Sequence, residues 1–376
     1  MRDVLVVGGG PAGLAVAAEA ARRGLDALVV ERRALPADKA CGEGLLPRGV
    51  AALEALGALR HLDPAGAMAF RSVRWISEDG TLAEAALPPP HGLGVRRLTL
   101  SSALAARARE AGAEVRELVA VVDHRVEPEA AVVRLSTGEE VRARLLVAAD
   151  GLSSPVRERE GLGRPAPAPR RFGLRRHVAV APWADAVEVH FAEGVEAYVT
   201  PTGPGRVGVA FLFEERSAAS YEELLSRFPR LEARLATADF EPGIAGAGPL
   251  RRRAAARTAA RLVLAGDAGG YADAITGEGL SLALEGARLL GAALPDALAR
   301  GATREALAGF ERALGARYRR YALSSGLVLA LARRPALRRR AVSFLSRRPR
   351  LFGRLVGAVV GEGGPSGTAR LAAVRG

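Results

Sequence analysis

The sequence predicts an α/β protein: a Rossmann-like domain, interrupted by an inserted β-sheet domain and followed by C-terminal helices. Three observations carry this. Val4–Val7, Ala27–Val30, Leu145–Ala149 and Leu262–Ala265 are continuous apolar runs, as parallel strands covered on both faces must be. Helical segments alternate with them, at Ala12–Arg23, 99–112 and Leu280–Leu294, which is the βαβ pattern. Between about 171 and 213 the character changes to short β-rich runs broken by Gly, Pro and Asp, which reads as the hairpins of a second sheet.

In chain order, Val4–Val7 is the first strand and the Ala-rich stretch to Arg23 the first helix, stopped by Gly24. Ala27–Val30 is the next strand and ends at Glu31. The second sheet is expected from Val187–Phe191, Ala197–Thr200 and Val207–Phe213, and Pro88–Pro90 and Pro165–Pro169 look like the crossings between sheets. The first domain is thus assigned to residues 1–70, 95–165 and 259–300, the inserted substrate-binding domain to 71–94 and 166–258, and a C-terminal helical region to 301–376.

Composition narrows the classes. Apolar residues at 49% and charged residues at 25% of 376 suit a globular chain. Cys41 is the sole cysteine, so an intramolecular disulfide is excluded and a reducing cytoplasm fits. No leader-like segment follows Met1 and no stretch of about 18 apolar residues occurs, so no membrane-spanning helix is expected. The net charge of +13 is local: residues 312–361 hold 13 arginines and no acid, leaving the remainder balanced at 41 of each sign. Nucleic-acid binding by the body of the protein is therefore not indicated. The five histidines show no metal-ligand spacing, and the absence of a CxxC excludes a disulfide reductase. Lys39 is the single lysine and lies two residues from Cys41.

The chemistry-bearing motif is Gly8-Gly9-Gly10-Pro11-Ala12-Gly13, which follows a buried strand and opens a helix. Gly8 permits the tight turn, Gly10 lets backbone approach a pyrophosphate, and Gly13 allows close packing of helix on strand. Pro11 suits the first helical position, where no N–H is needed. Glu31, 18 residues after Gly13, is placed to accept from ribose hydroxyls; Arg32 follows it. A second GxGxxG, Gly203 to Gly208, lies between two β-runs with no helix after it and reads as a hairpin loop. A second dinucleotide fold is thus not expected.

Two later segments decide between FAD and NAD. One is Asp150-Gly151-Leu152-Ser153-Ser154-Pro155-Val156-Arg157; the other is Gly266-Asp267 with Thr276-Gly277-Glu278-Gly279 before a helix. Together with the first motif, in this order, the chain resembles the flavoproteins typified by para-hydroxybenzoate hydroxylase, over about residues 2–300. The resemblance implies a glutathione-reductase-type FAD-binding domain. It places Asp267 on ribityl or pyrophosphate oxygens, the backbone of Thr276 to Gly279 at the flavin N1/O2 edge, Asp150 along the cofactor path and Arg97 near the pyrophosphate. Ala274 departs from the proline of many relatives. Asp38-Lys39-Ala40-Cys41-Gly42-Glu43-Gly44 is closest to the geranylgeranyl-reductase-like branch, where this segment runs beside the isoalloxazine. Cys41 and Lys39 are the catalytic candidates on that basis; a small buried cysteine and a solvated lysine are the alternatives. His177 and Arg176, on a strand of the second sheet, are the substrate candidates; an exposed or satisfied histidine is the alternative for His177. Trp75 and Trp183 stand alone, without a halogenase WxWxIP motif.

The resemblance implies an FAD-dependent oxidoreductase. The first expectation is a monooxygenase acting through a flavin C4a-hydroperoxide on an aromatic, polyketide-like or lipid-like substrate. The second is a geranylgeranyl-reductase-like reductase delivering hydride from flavin N5 to a C=C bond. The remote one is a non-catalytic lipid-binding relative. NAD(P)H is the expected electron donor. Residues 334–376 interleave Arg with Leu, Phe and Val, which suits peripheral contact with an anionic membrane or, alternatively, packing of an apolar face on the protein.

Overall fold

The computed structural model describes residues 1–166, 169–215 and 220–360. The first sheet runs in the spatial order Thr258–Ala259, Leu262–Leu264, Glu140–Ala148, Arg2–Val7, Ala27–Val30, Glu114–Arg116. Arg2–Val7 is central and parallel to both neighbours, with Val4 opposite Leu145 on one side and Ala27 on the other. An antiparallel pair, Val121–Val126 and Ala131–Leu135, extends from Glu140–Ala148.

Helix α1 (Pro11–Ala21) starts with proline at its first turn and is buried almost throughout. Its small side chains let α3 (Arg97–Glu110) and α7 (Gly279–Ala299) pack against it over the sheet, in one core with α2 (Pro47–Leu56). The apolar continuity of the strands has its cause here: helices cover one face, and the antiparallel extension with α4 (Pro155–Arg159) covers the other.

The second sheet has the order Asp239–Phe240, Arg171–Ala179, Arg206–Glu214, Val195–Gly203, Ala186–Ala192, Ser72–Ile76, Leu82–Ala86. Its strands come from two separated stretches, joined by the parallel pairing of Ser72–Ile76 with Ala186–Ala192. Gly203 pairs with Arg206 across the turn between two antiparallel strands, so the second GxGxxG is a hairpin. Helices α5 (Tyr221–Ser226) and α6 (Pro229–Leu235) cover one face, and α8 (Arg304–Ala332) packs on the other through Leu329. Pro88–Pro90 leads out of this sheet into Gly92–Val95, which pairs with Gly44–Leu45 and Ala67–Phe70 in a small third sheet. In the Pro165–Pro169 crossing, Pro167 and Ala168 lie outside the described residues.

The chain closes with α9 (Pro335–Ser346) and α10 (Pro349–Val360). Val342, Leu345 and Phe352 pack on Ala83 and Ala85 of the edge strand, and the Phe352 ring lies 4.9 Å from that of Trp75. One arginine of the basic stretch leaves the surface: Arg338 is buried, pairs with Glu78, donates to the Ala332 carbonyl and lies 5.4 Å from the Phe191 ring centre. Residues 361–376 of the membrane-contact stretch lie outside the described residues. Among the described residues, no helix is long and apolar enough to cross a membrane.

Candidate functional site

The carboxyl ends of parallel strands are where an open α/β sheet leaves a crevice for ligands. Here that crevice is one wall of a 1370 Å³ cavity whose other wall is the second sheet. Arg2–Val7 delivers Gly8, Gly10, Pro11 and Ala12 to it, and Ala27–Val30 delivers Glu31 and Arg32. Glu140–Ala148 leads to Asp150, and Leu262–Leu264 to Gly266 and Asp267. Arg97, Thr276, Gly277 and Gly279 line it too.

Gly8 has φ +106°, and a Cβ there would sit 2.5 Å from the Ala149 carbonyl oxygen. Gly13 does not line the cavity; a Cβ on it would meet the Gly8 oxygen at 1.9 Å, so it sets the approach of turn to helix. At Gly10 the corresponding space is open, with only Arg97 Nη2 nearby at 3.9 Å. Arg97 is buried, and its Nε has no hydrogen-bond partner among the described residues. Asp150 Oδ1 is likewise buried without a partner. Burial pushes the Asp150 carboxyl up, against hydrogen bonds from Ser154 and the Val156 N–H. Buried polar atoms left without partners mark a place where a ligand completes the hydrogen bonding. An open cradle at Gly10 beside an arginine edge fits the pyrophosphate of FAD, and these residues would hold it.

Glu31 shows why its position matters. It is buried, its Oε2 accepts from the Gly9 N–H at 2.7 Å, and its Oε1 accepts from the Arg33 N–H at 3.0 Å. The carboxylate thus braces the glycine turn while keeping lone pairs for ribose hydroxyls. Glu31→Ala is expected to raise the FAD dissociation constant about tenfold or more, since a hydrogen bond to a charged group contributes about 1.5–3 kcal/mol. Fluorescence titration of the flavin-stripped protein measures this, and an unchanged constant removes the assignment.

The segment 38–43 crosses the cavity between the two sheets. Lys39 Nζ donates to Asp267 Oδ2 at 2.9 Å, so the single lysine is paired rather than solvated. Arg175 Nη2 donates to Asp38 Oδ1 at 2.5 Å. Cys41 lines the cavity, and its Sγ accepts from the Glu43 N–H at 3.3 Å. Burial pushes the Cys41 thiol up, against the opposing pull of Arg97, so it holds its proton at neutral pH. Glu43 is buried at φ +58°; its Oε1 accepts from the Arg97 N–H at 2.7 Å and its Oε2 lies 2.6 Å from His177 Nε2.

The two expected substrate residues are not brought to the cavity. Along Arg171–Ala179 successive side chains point to opposite faces. Arg176 therefore faces outward, with Nε on the Glu241 carbonyl at 2.9 Å and its guanidinium 5.1 Å from the Phe240 ring centre. His177 shares a face with Arg175 but is closed off by Glu43 and bonded to Arg175 at 3.1 Å. Of Arg175, Arg176 and His177, Arg175 is the one that lines the cavity.

The turn 271–279 is built from behind. Thr276 Oγ1 lies 3.0 Å from Ser325 Oγ, Glu278 accepts from Ser324 Oγ at 2.9 Å, and the Asp273 N–H donates to Tyr321 Oη at 3.1 Å, all from α8. Burial pushes the Glu278 carboxyl up, against the Ser324 hydrogen bond. Beneath the turn, Arg171 pairs with Glu196 at 2.5 Å and Asp273 at 3.2 Å, all three buried. The sequence reading missed Glu43, Arg171, Arg175 and the α8 hydroxyls. For Glu43 a signal exists, a carboxylate set between Gly42 and Gly44; for the others the partners lie far along the chain.

Beyond the turn the cavity becomes apolar, walled by Val73, Trp75, Val187, Leu331, Phe352 and Val356. Two cavity hydroxyls are spent on backbone, Tyr198 Oη on the Ile275 carbonyl and Thr200 Oγ1 on the Gly42 carbonyl, each at 2.8 Å, while Tyr271 and Ser324 also line the cavity at the turn.

Comparison with known proteins agrees with this geometry. Residues 1–318 match the model of the FAD binding domain family. The chain is 32% identical to a menaquinone reductase of Mycobacterium tuberculosis over 310 residues, 76% of this chain and 75% of that protein. It is 31% identical to digeranylgeranylglycerophospholipid reductase 2 of Methanopyrus kandleri over 326 residues, 79% of this chain and 77% of that one. A p-nitrophenol 4-monooxygenase from Pseudomonas putida has the same fold, with TM-score 0.80 at 20% identity, covering 96% of this chain and 98% of that one. The likeness of fold is thus shared by reductases and monooxygenases, while the family itself is shown: the chain belongs to the FAD binding domain family and is an FAD-dependent oxidoreductase.

Proposed function

We propose that the protein reduces carbon–carbon double bonds in the polyprenyl chain of a lipid. The observation that carries this is the far half of the cavity. An aromatic substrate with a hydroxyl group would need a polar partner to orient it, since a buried polar group without one costs free energy. The hydroxyls of Tyr198 and Thr200 are committed to backbone carbonyls, those of Tyr271 and Ser324 lie at the turn, and the far wall of Val73, Val187, Leu331, Phe352 and Val356 is aliphatic and aromatic. A hydrocarbon chain asks for nothing else. The two sequence relatives, a menaquinone reductase and a digeranylgeranylglycerophospholipid reductase, support a reductase with a lipid substrate. The monooxygenase expectation therefore moves to second place.

Saturating a C=C bond adds a hydride to one carbon and a proton to the other; bound FAD, once reduced, supplies the hydride. The chain supplies the rest. Cys41 holds a proton at Sγ on the cavity wall, and Asp38–Arg175 and Glu43–His177 fix the segment that carries it. Thr276 to Gly279 open α7 with N–H groups that favour negative charge. A hydrocarbon chain filling the apolar half of the cavity would exclude water from the reacting end. NAD(P)H, or a separate reductase, is the proposed electron source; with one dinucleotide fold among the described residues, NAD(P)H would bind transiently over the FAD domain.

The test is anaerobic. The reduced holoprotein is mixed with a geranylgeranyl lipid, and flavin reoxidation is followed together with the mass of the lipid. Reoxidation with gain of two hydrogens per double bond is expected. No anaerobic reoxidation, with oxygen incorporated into an aromatic substrate in air, gives the reading to the monooxygenase.

A further inference from the structure

The apolar half of the cavity opens between α8, α9 and α10, and its rim is uncommon for a protein surface. Leu327, Phe344, Leu351 and Leu355 line the cavity and yet are 73%, 48%, 37% and 51% exposed. Contiguous exposed apolar side chains of this kind mark an interaction surface. Beside them lies a second, smaller depression of 550 Å³, lined by Arg339, Arg340, Arg347 and Arg348 with Ser343, Asp79 and Phe344. Phe344 belongs to both hollows. Arg348 lies 4.0 Å from the Phe344 ring centre, so cation and rim are in direct contact.

Charge says what fits there. The four arginines are exposed, and none makes an ion pair among the described residues. Asp79 is the one acid in the depression, and the neighbouring Glu78 is taken by the buried Arg338. Arg350 and Arg354 add exposed charge between and beside Leu351 and Leu355 on α10. An apolar rim interleaved with guanidinium groups matches the boundary of a bilayer, where acyl chains meet phosphates.

We propose that this mouth docks on an anionic phospholipid bilayer, with the arginine-lined depression receiving lipid phosphates and the Leu–Phe rim entering the acyl layer. The cavity then opens into hydrocarbon, and a lipid chain passes from bilayer to flavin end without crossing water. That the passenger is a prenyl lipid rests on the reductase reading; the docking does not.

Holoprotein is sedimented with vesicles of phosphatidylcholine alone or mixed with phosphatidylglycerol, free of any prenyl lipid. Binding to the mixed vesicles at low salt, its release by salt, and little binding to the neutral ones are expected. A variant with Arg339→Glu, Arg340→Glu, Arg347→Glu and Arg348→Glu should lose about tenfold or more in partitioning while retaining its flavin. As a reporter that does not depend on that variant folding, Phe344→Trp should be quenched by lipids with brominated chains. No binding to anionic vesicles, equal binding to neutral ones, or an unquenched Phe344→Trp overturns the proposal. So does a dimer in solution that Leu355→Asp dissociates, since the rim would then belong to a second copy. Reduction of detergent-dispersed prenyl lipid without vesicle binding would remove the docking alone; vesicle binding without reduction of any prenyl lipid would remove the reductase reading alone.

Discussion

Asp267→Ala is expected to purify nearly free of flavin. Asp267 stands at the end of Leu262–Leu264, in the Gly266–Gly269 turn, on the path from the Gly10 cradle to the turn 271–279. A carboxylate accepting from cofactor hydroxyls contributes about 1.5–3 kcal/mol per bond, or about tenfold to a hundredfold in affinity. The same substitution costs the fold little. The Lys39–Asp267 pair is about a third and a quarter exposed at its two side chains, and such pairs are worth about 0–1 kcal/mol. Loss of flavin can therefore be separated from unfolding: the ratio of flavin to protein absorbance should collapse while the denaturation midpoint of the flavin-stripped protein stays close to that of the equally stripped parent. Lys39→Met is the control, since it breaks the pair and leaves the acceptor in place, and it should keep most of its flavin. An Asp267→Ala protein with stoichiometric flavin would mean that the cofactor is held without this carboxylate.

What could be read from the sequence, and what could not, divides along a physical line. Strand, glycine turn and helix at 3–31 are local: continuous apolar residues, a turn that needs Gly8 at φ +106°, and a proline at the helix start all act within a few residues. Glu31 was expected on ribose hydroxyls from the same unit; its bond to the Gly9 N–H, which braces the glycine turn, was not foreseen. Thr276 and Gly277 were equally legible, but the reasons they hold their place were not. Those reasons are Ser324, Ser325 and Tyr321, on a helix 46 to 49 residues further along the chain. His177 could be read either as a pocket residue or as a satisfied histidine, and the sequence could not choose because its partner, Glu43, lies 134 residues away along the chain. Arg338 was indistinguishable from Arg339 and Arg340 in a run of three, and one turn of helix sends it inward to Glu78.

Arg171→Leu is the substitution expected to cost the fold most. The guanidinium is buried between Glu196 and Asp273, and burial, which works against its charge, is outweighed by the two carboxylates, so its pKa is raised. Removing it leaves two buried carboxylates without a cation, a loss of about 3–5 kcal/mol, a large part of the 5–15 kcal/mol by which a typical domain is stable. The pH dependence identifies the cause. Burial already pushes the Glu196 carboxyl up, with Arg171 holding it down; without Arg171 it should rise further. A carboxyl whose folded pKa exceeds its unfolded value binds more protons in the native state, so it favours folding below the unfolded pKa and that contribution is lost as pH rises through the folded one. The variant should therefore be most impaired at neutral and alkaline pH and recover part of its stability in mild acid. Denaturant titrations of variant and parent, at neutral pH and in mild acid, measure this. Because Asp273 also anchors the turn 271–279 through Ile275 N–H and Tyr321, flavin should be lost along with stability, unlike in Asp267→Ala, where only flavin goes. A deficit that does not shrink as the pH falls would show that Arg171 acts through packing rather than through the charges it separates.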